Sequence, residues 1–108
     1  MAWEITEISQ YRVSIGSYTN VPFIAVFDNG GRQFASLIFT STPVAPRRTE
    51  DGLIAASFAI DRFHPMLDVL RHERPVRLMV LPRQGSATEL IQVSVSTLNE
   101  PVGEDEPR

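Results

Sequence analysis

The sequence predicts an α+β domain, an antiparallel sheet in the order β-β-β-β-α-β-β with a single helix near residues 62–73. Three observations predict it. Short runs of β-branched and aromatic residues recur along the chain, bounded by clusters of Gly, Pro, Asn and Asp. Only the stretch after Asp61 places apolar residues at helical spacing. The chain has 108 residues, 43% hydrophobic and 21% charged, which suffices for one core and is too short for two.

Taken in order, Trp3 to Ser9 alternates loosely and is a short strand or an ordered arm. Tyr11, Val13 and Ile15 alternate with Arg12, Ser14 and Gly16, the period of a half-buried strand. The strongest local signal follows. Phe23 to Phe27 and Phe34 to Phe39 flank Asp28-Asn29-Gly30-Gly31-Arg32, a hairpin turn that needs positive φ. With Gly30-Gly31 at the turn, Phe27 faces Phe34 and Phe23 faces Ile38; with Asn29-Gly30 at the turn, those pairs separate. In either register both faces of the hairpin are apolar, and one short helix cannot cover both.

Ser41 to Gly52 holds two prolines, a glycine and a cluster of charge, and is expected to be an exposed, mobile loop. Leu53 to Ile60 is a further strand with Ile54, Ala56, Phe58 and Ile60 on one face. Asp61 suits a helix N-cap and Pro65 the first helical turn. Phe63, Met66, Leu67 and Leu70 then form a stripe that ends before Pro75. Val76 to Leu81 and Ala87 to Leu98 complete the strands, the latter with Ile91, Val93 and Val95 toward the core and Gln92, Ser94 and Ser96 toward solvent. Residues 1–99 are thus expected to form the single domain, and 100–108 a flexible acidic tail.

Composition narrows the chemistry. There is no cysteine, which excludes disulfides, thiolate nucleophiles and Cys-ligated zinc. The apolar runs are strand-sized, so no membrane span is expected, and the N-terminus lacks a signal-peptide pattern, which points to the cytoplasm. The formal charge of −3 sits in the last nine residues, since residues 1–99 carry nine acids and nine arginines. All ten basic residues are Arg. Arginine suits phosphate contacts and stacking on rings, although a GC-rich genome gives the same bias.

Catalysis finds no anchor. His64, Asp68 and His72 step along one helical face, yet the two histidines are about 12 Å apart along the axis and cannot share one ion with Asp68. A solvated stripe, with Asp68 paired weakly to its neighbours including Arg71, accounts for them. No nucleophile elbow, phosphate-binding glycine loop or paired-carboxylate signature is present. The expectation is therefore no enzyme, no catalytic or metal-ligating residue and no cofactor.

Binding is the remaining class. A sheet that is apolar on both faces either meets a second subunit or holds something flat. Single-stranded nucleic acid is held by rings that stack on bases and by Arg at the phosphates. Tyr11, Tyr18, Phe23, Phe27 and Phe34 are the available rings. Tyr18, in the turn-like Gly16-Ser17-Tyr18-Thr19-Asn20, is the one least explained by a core. Arg12, Arg32, Arg47 and Arg48 supply charge. The candidate contacts are Arg12, Tyr18, Arg32, Arg47 and Arg48, although the neutral body argues against high affinity.

Four strands feeding one helix, from Tyr11 to Arg74 and ending in Phe58-Ala59-Ile60-Asp61-Arg62-Phe63-His64-Pro65-Met66-Leu67, resemble the Whirly and positive-cofactor class of single-stranded DNA-binding proteins. The resemblance is one of topology and includes no diagnostic motif. It implies a dimer or larger assembly that binds single strands across its sheets. The chain departs from that class in having no lysine-rich strand and in continuing into two further strands. Its ending, Glu100-Pro101-Val102-Gly103-Glu104, resembles the tails of small uncharacterised proteobacterial proteins, which implies a bacterial source and no activity. The function expected is thus a non-catalytic binding module, a homo-oligomer that takes single-stranded nucleic acid. The alternative is a protein-interaction or assembly domain whose open sheet face is its interface.

Overall fold

The Asp28–Arg32 segment folds as its composition demands. Gly31 donates its N–H to the Asp28 carbonyl over 3.0 Å, at a φ of +82° that favours glycine. The Asp28 carboxylate accepts the N–H groups of Gly30 and Arg32, each at 3.0 Å, and so fixes the turn from inside. This turn joins two of eight strands in the structure, a computed structural model that describes residues 2–17 and 21–97. The strands are β1 (Glu4–Ile8), β2 (Gln10–Ser14), β3 (Phe23–Phe27), β4 (Gln33–Thr40), β5 (Arg47–Arg48), β6 (Ile54–Ala59), β7 (Val76–Pro82) and β8 (Leu90–Thr97). One α-helix, α1 (Phe63–His72), follows β6 through a 3-10 turn at Ile60–Arg62. The class is α+β. The acidic tail expected over 100–108 lies outside the described residues.

The strands make two sheets, a three-stranded one in the order β1-β7-β8 and a five-stranded one in the order β2-β3-β4-β6-β5. Every pairing is antiparallel except β4 with β6, which is parallel. Parallel neighbours need a crossover of roughly a dozen residues, and the segment from Ser41 to Leu53 provides it. That segment is not simply a loop. It contains β5, which returns to β6 through a turn closed by Gly52 N–H to the Thr49 carbonyl over 3.0 Å. The two sheets meet at both sides. Ser9 passes the chain directly from β1 to β2 while its N–H bonds the Phe27 carbonyl at 2.9 Å. Opposite, Arg48 N–H bonds the Thr88 carbonyl at 2.7 Å and Leu90 N–H the Pro46 carbonyl at 3.4 Å, tying β5 to the start of β8.

The turn is centred on Asn29-Gly30, yet beyond it the strands take the register expected for Gly30-Gly31. Phe23 faces Ile38, but a bulge at Val26/Phe27 brings Phe27 opposite Gln33 and leaves Phe34 as the extra residue, packed toward the core. The core lies between the sheets, where Ile24, Val26, Ala35, Leu37, Phe39 and Leu78 are fully buried. Each such large side chain stabilises the fold by about 1.5–3 kcal/mol. Phe39 is its aromatic centre, stacked on Phe58 at 5.6 Å and edge-on to Phe63 at 5.2 Å, so β4, β6 and α1 meet there. Phe63, Leu67 and Leu70 of the helical stripe are buried and Met66 half-buried.

Four local expectations are corrected. Ile91 is exposed and not in the core, because β8 bulges there, with Gln92 opposite Leu81 and Leu90 opposite Pro82. Asp61 caps nothing: it sits inside the 3-10 turn, and α1 begins without a side-chain cap. Ile60 belongs to that same turn and is exposed, because the chain leaves β6 at Ala59. Asp68 makes no ion pair with Arg71 or either histidine among the described residues, and all four side chains are exposed.

Candidate nucleic-acid interface

Cross-strand register determines which candidate residues share a surface. Arg12 of β2 pairs with Ala25 of β3, Ala25 with Ser36 of β4, Ser36 with Ala55 of β6, and Ala55 with Arg47 of β5. The five form one straight row across the outer face of the five-stranded sheet, with arginine at each end and small residues between. Four strand spacings separate the two arginines, about 19 Å at ~4.8 Å per spacing. On one flank runs the row Ser14-Phe23-Ile38-Ser57 and on the other Gln10-Phe27-Gln33. Phe23, Phe27 and Ile38 are half-buried, so this second face of the hairpin is apolar but accessible.

The Arg12 guanidinium lies over the Phe27 ring, 5.7 Å from its centroid, a cation–π arrangement that holds the cation against the sheet. The Gln33 amide donates to Ser36 Oγ at 3.0 Å and lies along the floor beside it. No Asp or Glu occurs in β2, β3, β4, β5 or β6, whereas Arg12, Arg47 and Arg48 do. The strands of this sheet thus carry only positive charge, and the nearest carboxylate along the row is that of Glu89, which lies opposite Arg47 across an isolated bridge and pairs with Arg83 at 3.4 Å.

The other candidates separate from the row. Arg48 turns to the opposite side of β5, half-buried, and holds Glu4 of β1 at 2.5 Å, which joins the two sheets. It serves the fold first. Arg32 leaves the 28–31 turn exposed and its charge reaches Asp51. The Asp51 carboxyl is held below its ordinary 3.8 mainly by a hydrogen bond from the Thr49 hydroxyl, helped by backbone N–H groups and by Arg32. A hollow of about 610 Å³ beside β5 is lined by Arg47, Arg48, Thr49, Glu50, Asp51 and Thr88, so both signs of charge meet there. Tyr18 lies outside the described residues. Of the residues named from sequence, the structure brings Arg12 and Arg47 onto one surface and sets Arg32 and Arg48 apart from it.

Reasoning from sequence missed Phe27 as the partner of Arg12, although Arg12 and Phe27 both lie in strands it identified. It also missed the Ala25-Ser36-Ala55 floor, for which alternation of small and large residues in β6 was the available signal. Among the described residues no group of three or more His, Asp or Glu side chains gathers as a metal site would require. No helix among these residues is long and apolar enough to cross a membrane. Comparison with protein-family models, with curated proteins and with solved structures returned no significant match.

Proposed function

We propose that the protein is a non-catalytic binding module that takes single-stranded nucleic acid across the outer face of its five-stranded sheet. The row Arg12-Ala25-Ser36-Ala55-Arg47 carries this reading. Ser36 and Ala55, both half-buried, leave room for a base beside the fully covered Ala25; Phe23 and Phe27 offer rings, and the two arginines meet phosphates a few nucleotides apart. With two phosphates neutralised, the logarithm of affinity falls against the logarithm of salt concentration with a slope of about −1.4. Binding is accordingly weak for one copy, and assembly would raise it by avidity. The edge strand β2 gives a means of assembly, since Val13 is 36% and the adjoining Ile15 66% exposed. A cytoplasmic setting in a bacterium goes with this reading.

The test is solution mass by light scattering with a short single-stranded DNA at low and moderate salt. An assembly that gains mass with DNA and loses it as salt rises supports the proposal, and Arg12→Ala with Arg47→Ala should abolish the gain. Retention of no oligonucleotide at any salt removes the nucleic-acid role. The second reading, a protein-interaction or assembly domain, is favoured by the same apolar β2 edge. It expects an oligomer that is indifferent both to DNA and to the loss of Arg12 and Arg47.

A further inference from the structure

The link between β5 and β8 spans only a few residues, and beyond it the two sheets part. β5 covers β6 at Ile54 and Ala55 alone, so from Ala56 to Ala59 the β6 edge has no strand partner among the described residues. β8 is the edge of its own sheet, and past Leu90 its outer edge is likewise unpaired. Two clefts of about 520 and 220 Å³ lie between these edges and share Phe58, Gln92 and Val93, so they form one continuous seam. Pro46 closes the seam at the β5 end. At the other end α1 contributes Met66 and Val69, both half-buried.

We infer that this seam is a docking site for an extended peptide of a partner protein, inserted as a strand between β6 and β8. Unpaired strand edges present backbone N–H and C=O groups that another extended backbone satisfies, while alternate side chains enter pockets that confer specificity. Here one set of side chains would meet Phe58, Met66, Val69 and the 38% exposed Ile91. Charge sets the polarity. Arg62 is the one charged residue lining either cleft, it is exposed, and it has no ion pair among the described residues. Its neighbour Asp61 lines neither cleft. The matching peptide is therefore apolar at alternate positions with an acidic residue at the end beside Arg62. This inference is independent of the nucleic-acid reading, which uses the outer face of the five-stranded sheet and not the free edge of β6.

The experiment selects the full chain against a displayed library of random eight-residue peptides. The enriched peptide is then synthesised, also in a form N-methylated at alternate backbone amides, and followed by amide NMR. Enriched sequences should alternate apolar residues and carry Asp or Glu at one end. The seam amides, those within 56–59 and 91–95 that point away from β4 and β7, should shift and gain at least tenfold protection from exchange. N-methylation should weaken binding at least tenfold, as should Arg62→Glu, an exposed change that leaves the fold intact by its unaltered spectrum elsewhere. No enrichment, indifference to N-methylation, or shifts confined to the Arg12–Arg47 face would overturn the inference. So would seam amides already protected without peptide: protection that persists on dilution identifies the chain itself as the occupant, and protection that appears only at high concentration identifies a second copy.

Discussion

The two sheets have like interiors and unlike exteriors. Inside, the three-stranded sheet buries Val76, Leu78 and Val80, and the five-stranded sheet Ile24, Val26, Leu37 and Phe39, all in one core. Outside, the three-stranded sheet sets Glu7 beside Arg77 and Ser96, a row in which opposite charges cancel. The corresponding row of the five-stranded sheet has an arginine on each edge strand and no carboxylate on any of its five strands, and it reaches an acid only past Arg47, at the bridge to Glu89. Inner faces answer to volume and burial, which both sheets satisfy with interchangeable Val, Ile and Leu. Outer faces are free to differ, so a ligand is to be sought where charge and shape depart from what solubility alone requires.

Substitutions in the shared core should have the greatest effect. If the interiors are alike, Leu37→Ala and Leu78→Ala should each cost about 2–5 kcal/mol, measured by urea denaturation. Two separate unfolding transitions in either variant would mean that the sheets do not share a core. If the exteriors differ in kind, Arg12→Ala with Arg47→Ala should lower single-stranded DNA affinity at least tenfold and leave the unfolding midpoint nearly unchanged, while Arg77→Gln should leave affinity as it was. Loss from both would assign binding to net charge.

The bond between the sheets is smaller. A double-mutant cycle on Glu4 and Arg48 should give a coupling of about 0.2–1 kcal/mol, as the pair is partly exposed. Last, the carboxyl of Asp51 should titrate by NMR below 3.8, and Thr49→Val should return it toward that value. Because its folded pKa is lowered, any stability Asp51 contributes is present above the ordinary pKa and is lost as pH falls through the lowered one. A titration at or above 3.8 in the wild-type protein would refute the Thr49 contact.

Local signals were legible in the sequence and long-range ones were not. Asp28-Asn29-Gly30-Gly31 announced its turn because the residues that make the turn are neighbours. The helical stripe and its end before Pro75 were legible for the same reason. β5 was hidden because it has two residues and lies among prolines, and its pairing depends on β6 rather than on its own propensity. The parallel β4–β6 pair was hidden too, since alternation within a strand does not specify the direction of its neighbour. Of the site, arginine as the residue type and Arg12 and Arg47 as members were legible. Their alignment depends on four successive registers, one of them altered nearby by the bulge at Phe27.

The direct passage of the chain through Ser9 has a bearing on synthesis. All the strands of the five-stranded sheet lie within residues 10–59, so that sheet can pair once this stretch has left the ribosome, without waiting for β7 or β8. β1 cannot: Glu4 pairs with Val80, and the first strand made must wait, unzipped, for one of the last. Closing that long loop costs more entropy than any pairing within residues 10–59, so β1 is expected to join after the five-stranded sheet has formed.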